Sequence, residues 1–254
     1  MPRRWDRQKQ KRLGIKDCYL CGKPLEEPTS PDHVPPKLFF PEDLRKKYKL
    51  TELLTIRVHH ACNQKWRLDE EYFIHTLLPL ARGTESGDAA AAQPFRKYKA
   101  GRNVPLINMV MDEFKHVVKG VHLPANRVAK LIDANRFHDV LYKIVRGLHF
   151  HHTGEILAPF WSITYTVTAP NEPPPDFFVA YAESGRGLIR GKYPGIFAYM
   201  FDKFPDVNDL HLWAFLLWDC IIVTAAFHDM NCVCEYCSFV GPRLPESMAG
   251  TIRA

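Results

Sequence analysis

Two short pairs of soft metal ligands frame the chemistry of this chain. Cys18-Tyr-Leu-Cys21 is a C-x-x-C knuckle, and the Gly22 after it lets the backbone turn sharply, so both thiolates can face one ion. His59-x-x-Cys62 repeats the two-residue gap. Together they supply three thiolates and one imidazole, a closed tetrahedral set suited to structural Zn2+. His60 competes with His59 for the imidazole position, and His59 is preferred because it keeps the gap. Redox pairs share the C-x-x-C spacing, so the second pair is what turns the reading toward metal. Between the two half-sites stands Asp32-His33-Val34-Pro35-Pro36-Lys37, and directly after the second comes Asn63.

The order C-x-x-C, then D-H-V-P-P-K, then H-x-x-C-N leading into a helix resembles the zinc-supported branch of the HNH endonuclease superfamily. The resemblance covers residues 17–75 and implies a ββα-metal unit, in which two short strands, a loop and a helix surround one divalent cation. It implies a nuclease that hydrolyses nucleic-acid phosphodiester bonds, with DNA ahead of RNA as substrate. Such a reaction needs an activated water and a group to bear the charge developing on phosphate and leaving oxygen. On this pattern His33 is the general base, since an imidazole titrates near neutral pH. Asp32, its strand neighbour, turns the opposite way and binds Mg2+ or another hard divalent cation, with Asn63 adding a neutral oxygen. Pro35 and Pro36 stiffen the chain after the base. Zinc clamps the knuckle to the helix start and so fixes the distance between Asp32 and Asn63.

Lys37 and Lys65 are the candidate phosphate contacts. Lys65 stands one residue nearer the Cys-Asn pair than the lysine of related sequences, which turns it by about 100° around a helix. The third motif residue is Asn rather than His, and Thr51–Thr55 offers no asparagine to pin the loop. Asp69-Glu70-Glu71-Tyr72-Phe73 also resembles this subgroup, without an assigned chemical role.

These residues must be held by the rest of the chain. Its 254 residues, 46% hydrophobic and 24% charged, suit a soluble globular protein rather than a disordered one. The net charge of +6 is concentrated in residues 1–16, which carry seven Lys/Arg against Asp6. That basic arm can track phosphates. Seven cysteines without an apolar leader point to reduced or metal-bound thiols in the cytoplasm. Leu210–Phe227 is apolar, but it contains His211 and Asp219 and is rich in β-branched and aromatic residues, so it reads as buried strand rather than membrane helix.

The expected fold class is α+β: a zinc-stabilised HNH unit at 17–80, a linker or mobile loop at 81–100, and an accessory α+β domain with an antiparallel sheet at 101–254. A helix starts near Ala61 and presents Cys62, Trp66, Phe73 and Leu77 on one face. A second carries Val128, Leu131, Ile132, Leu141, Ile144, Val145 and Leu148, with Pro124 and Asn126 near its start and Gly154 past its end. Strict alternation in 161–168 places Trp161, Ile163, Tyr165 and Val167 on one strand face. Further strands are expected at Phe177–Ala182, Ile196–Phe201 and Trp213–Ala226.

Other clusters carry less. Cys232, Cys234 and Cys237, with His228 and Cys220 nearby, offer the donors of a second metal site, but their spacing fits no common structural-zinc pattern and partly buried free thiols are the preferred reading. His149, His151 and His152 fall at a helix end, where cationic histidine complements the dipole. Trp161, Trp213 and Trp218 read as sheet core. The expected partner is nucleic acid, with no membrane and room for a protein partner on residues 101–254. The rival expectation is a zinc-stabilised nucleic-acid-binding module without catalysis, and a third is a redox or protein-interaction protein using its cysteines.

Overall fold

The computed structural model describes residues 16–157, 162–170, 172–183, 189–204, 210–228 and 251–253. Residues 1–15 of the basic arm, Trp161 and the 232–237 cysteine cluster lie outside them. In chain order the helices are α1 (Glu42–Lys47), α2 (His60–Lys65), α3 (Arg67–Leu77), α4 (Glu85–Lys99), α5 (Val104–Asp112), α6 (Ala134–Thr153) and α7 (Asp176–Glu183). The longer strands are β1 (Thr29–His33), β2 (Thr55–His59), β7 (Ser162–Thr168), β8 (Ile189–Tyr193), β9 (Phe197–Phe204), β10 (Leu210–Leu217) and β11 (Ile221–His228). Two-residue strands β3 to β6 lie at Phe114–Lys115, Val117–Val118, Val121–His122 and Ala129–Lys130, and β12 is Thr251–Arg253. The chain is thus α+β, and among the described residues the strand pairing is antiparallel except where β12 runs parallel to β7.

It forms two compact units, and the division differs from the one read in the sequence. One unit joins residues 1–74 to 136–159; the other joins 75–135 to 160–254. The long amphipathic helix α6, assigned by sequence to the accessory block, belongs from Arg136 onward to the N-terminal unit. Its buried face (Phe137, Val140, Leu141, Ile144, Val145, Leu148) supplies the core that the short Cys/His-rich section lacks. Each such side chain contributes about 1.5–3 kcal/mol when fully buried.

In this first unit β1 and β2 pair antiparallel with Asp32 opposite Ile56 and His33 opposite Thr55, and α2 follows β2 directly. Alternation along the ribbon puts Asp32, Ile56 and Val58 on the buried face, with His33 and His59 on the other. Helix α6 packs closely against this ribbon. A Cβ on Gly147 would lie 2.7 Å from a methyl of Val34 and 3.1 Å from the Tyr19 hydroxyl, so glycine permits the approach. Phe73 stacks on Phe137 at 4.5 Å and Tyr19 on Phe150 at 5.7 Å. Helix α6 ends with Gly154 at φ +79°, as the sequence predicted. Its start was misplaced, because Val128, Leu131 and Ile132 precede the helix around short strand β6.

In the second unit the predicted linker at 81–100 is instead mostly helix α4. The Thr84 hydroxyl caps it by accepting from the Gly87 N–H at 3.0 Å, and the run Ala89–Ala92 has high helix propensity. The small-residue composition that looked like a linker therefore signals close packing: a Cβ on Gly87 would overlap the Ala81 carbonyl. Glu113 accepts from both the Lys130 ammonium and the Thr76 hydroxyl, forming a buried ionic cluster beside the β3–β6 pair.

The main sheet runs β12-β7-β11-β10-β9-β8. One face, including Tyr165, Val167, Phe201, Trp213, Phe215 and Val223, is buried, which agrees with the alternation read in 161–168. Trp213 stacks on Phe201 at 4.0 Å, and Trp218 is fully buried. The apolar run 210–227 is strand, but it folds back at Trp218–Cys220, with Trp218 and Asp219 in the left-handed region. Phe177–Ala182 is helix rather than strand. Three prolines precede it, and the Pro175 carbonyl accepts the N–H groups of Phe178 and Val179 to begin α7. No helix among the described residues is long and apolar enough to cross a membrane.

Candidate functional site

Cys18, Cys21, His59 and Cys62 converge, with one ligand atom from each lying within 4.8 Å of every other. They could hold a metal ion such as zinc. The His59 Nδ1 is 3.4 Å from Cys21 Sγ and 3.8 Å from Cys62 Sγ. Ligands about 2.0–2.3 Å from a tetrahedral zinc stand roughly 3.5–3.8 Å apart, so the donor set fits that ion. The His59 Nε2 meets the Pro24 carbonyl at 2.8 Å. The Glu26 N–H also points at Nε2, at 3.2 Å, and Nδ1 is the ring nitrogen that faces the thiols. His60 lies exposed at the start of α2 and stands apart from the cluster.

The thiols themselves call for a cation. Burial opposes ionisation of Cys21, but hydrogen bonds from the Lys23 backbone, His59, Cys18 and Cys62 outweigh it and hold this thiol below its ordinary value. Cys62 goes the other way, pushed up to about 12 by burial and by the neighbouring sulfurs. Three thiolates this close ionise together only around a positive ion.

Local backbone chemistry builds the knuckle. The Cys18 carbonyl accepts the N–H groups of Cys21 and Gly22 at 3.2 and 2.7 Å, and Gly22 has φ +74°. From there the knuckle is tied to α6: the Arg146 guanidinium donates to the Leu20 carbonyl at 3.0 Å, and Tyr19 lies on Phe150.

Beside the cluster is a cavity of about 250 Å3 lined by His33, Lys37, Leu38, Asn63, Arg67, Glu70 and Glu71. The structure therefore brings together the predicted base, the predicted amide ligand and one predicted phosphate contact. Asn63 directs its side-chain N–H groups to Ser30 Oγ and the Pro31 carbonyl, both at 3.1 Å, leaving its Oδ1 as the atom free to bind a cation. The pKa of His33 is lowered, first by burial and then by Lys37, which favours the neutral imidazole that a base requires. Lys65 does not line the cavity; its ammonium lies 5.5 Å from the Trp66 ring. Arg67, which sequence reading passed over, lines it instead.

Asp32 is arranged differently from the expectation. It is 3% exposed and does not line the cavity. One carboxylate oxygen accepts the Tyr19 hydroxyl, and the other accepts Lys143 Nζ at 2.7 Å. Lys143, itself 2% exposed, also donates to Glu70. The physical reason lies in the strand: alternation that opens His33 to the cavity turns Asp32 into the core, where burial demands a counter-charge. Asp69 is likewise engaged, accepting from Arg136 Nε at 2.7 Å, while the same guanidinium lies over Tyr72. The acidic stretch at 69–70 thus ties α3 to α6 through two cations.

In the second unit a cavity of about 480 Å3 is lined almost wholly by apolar groups, among them Phe178, Ala198, Met200, Leu216 and Ile222. No family model, curated protein or solved structure matches this chain.

Proposed function

We propose that the N-terminal unit is an HNH-type, divalent-metal-dependent endonuclease site, with Cys18, Cys21, His59 and Cys62 holding a structural zinc. The carrying observation is the shared cavity of His33 and Asn63 beside a Cys3His cluster, on two antiparallel strands followed by a helix. Its donors, the Asn63 Oδ1 and the Glu70 carboxylate, are hard oxygens that suit Mg2+ or a similar ion. When bound, such an ion supplies Lewis acidity at the phosphate and at the leaving oxygen. The neutral His33 imidazole takes the proton of the attacking water. Lys37 and Arg67 hold the phosphate at the cavity rim. The zinc cluster fixes the knuckle, and Tyr19 within that knuckle positions Asp32 through its hydroxyl.

The substrate is nucleic acid, DNA ahead of RNA. The test is nicking of supercoiled plasmid by zinc-loaded protein with added Mg2+ or Mn2+. His33→Ala should abolish nicking with zinc content intact, and full activity in that variant would sink the assignment.

A second reading, a zinc-stabilised nucleic-acid-binding module without catalysis, is favoured by one observation. Both oxygens of Asp32 are already engaged by protein groups. Wild-type protein that shifts DNA in a gel yet never nicks it, under any divalent ion, would select this reading.

A further inference from the structure

Lys143 is a buried ammonium in an unusual place. It holds Asp32 at 2.7 Å and also Glu70, so one monovalent cation serves two carboxylates. Glu70 is the link between this pair and the solvent-accessible site, because it also lines the cavity with His33 and Asn63. Lys143 itself does not line that cavity. The Tyr19 hydroxyl donates to Asp32 but brings no charge. Asp32 and Glu70 thus share one ammonium in a region where unpaired charge is costly, while Lys37 and Arg67 line the cavity that Glu70 also reaches.

We infer that Lys143 is a built-in counter-cation that competes with a divalent ion, and that Glu70 is an additional ligand for that ion. A divalent cation entering the cavity between Asn63 and Glu70 brings twice the charge of an ammonium and binds oxygen at about 2.0–2.6 Å. Glu70 then transfers from Lys143 to the ion, and the ammonium is left on Asp32 or displaced from both carboxylates. No covalent bond changes; the exchange is between an N–H···O contact and a metal–oxygen contact. Lys143 thereby keeps the acids ordered without metal and sets how much ion is needed to load the site. The inference rests on the nuclease reading only for the location of the ion.

The experiment is titration of zinc-loaded full-length protein with Mn2+, followed by calorimetry and by the electron paramagnetic resonance signal of free Mn2+, with no nucleic acid present. Lys143→Met should bind Mn2+ at least tenfold more tightly than wild type, and its melting temperature should rise more on Mn2+ addition. Glu70→Gln should bind at least tenfold more weakly. Equal affinities for wild type and Lys143→Met, or unchanged affinity in Glu70→Gln, overturn the inference. Should Lys143→Met not fold, Lys143→Gln, which keeps a hydrogen-bond donor without the charge, takes its place and should also bind Mn2+ more tightly than wild type. A protein that follows the Mn2+ pattern but leaves plasmid intact would refute the nuclease and keep the competition. A protein that nicks plasmid with no effect of Lys143→Met on Mn2+ affinity would do the reverse.

Discussion

Replacing Tyr19 by Phe is the cleanest probe of how the metal cluster communicates with the pocket. Tyr19 is fully buried between Cys18 and Leu20, its ring lies on Phe150, and its hydroxyl donates to an Asp32 oxygen. Phe retains the ring and the stacking, so packing is unchanged and a single hydrogen bond is lost. That bond ends on a carboxylate, and hydrogen bonds to charged groups contribute about 1.5–3 kcal/mol. Water has no room to replace the hydroxyl, since neither residue is exposed. Tyr19 and Asp32 lie in the unit of residues 1–74 and 136–159, and for a domain of 60–100 residues a loss of roughly 2 kcal/mol lowers the melting temperature by about 8–16 °C. The assay is thermal unfolding of zinc-loaded wild type and Tyr19→Phe, with bound zinc quantified in each. Zinc should stay at wild-type stoichiometry, because all four ligands remain. An unchanged melting temperature would refute the claim that the knuckle braces Asp32, and loss of zinc would show that the hydroxyl serves the metal cluster instead.

Two further substitutions separate metal from packing. Cys62→Ser removes one thiolate from the cluster, so bound zinc should fall below one equivalent and the melting temperature should drop with it, since the binding free energy of a structural zinc is folding free energy. Metal analysis and calorimetry read both; full zinc retention would contradict the four-ligand assignment. Gly147→Ala would place a methyl 2.7 Å from Val34, next to the predicted base. Overpacking of this kind costs about 1–3 kcal/mol, so denaturant unfolding should show a lower midpoint while zinc content is kept. A midpoint at or above wild type would mean that α6 does not approach the ribbon as described.

What could be read in the sequence was local chemistry. Cys18, Cys21, His59 and Cys62 announce themselves by two equal gaps, and the choice of His59 over His60 follows from the gap alone. The alternation around Tyr165 and Val167 likewise states which face is buried. Lys143 could not be read that way, because its partners Asp32 and Glu70 lie 111 and 73 positions away in the chain. One signal was present: a lysine in the middle of the helical run Val140, Leu141, Ile144, Val145 and Leu148 must either reach solvent or meet a buried acid. Glu70 was noticed as part of an acidic stretch, yet its two roles depend on a helix that arrives from another part of the chain. The misread segments fail for physical reasons as well. Residues 81–100 look like a linker by composition, but Thr84 caps them into a helix. Residues 177–182 look like a strand by side-chain type, but the prolines before them favour the first turn of a helix.

In the proposed reaction His33 acts as a base in a metal-loaded cavity beside the Cys3His cluster. This role is tested most directly by plasmid nicking with zinc-loaded protein, comparing wild type and His33→Ala across a range of Mn2+ concentrations. Nicking should rise with Mn2+ in wild type and vanish in the variant, while zinc content and melting temperature stay alike. Nicking by both proteins at the same rate, or by neither at any Mn2+ concentration, would contradict it.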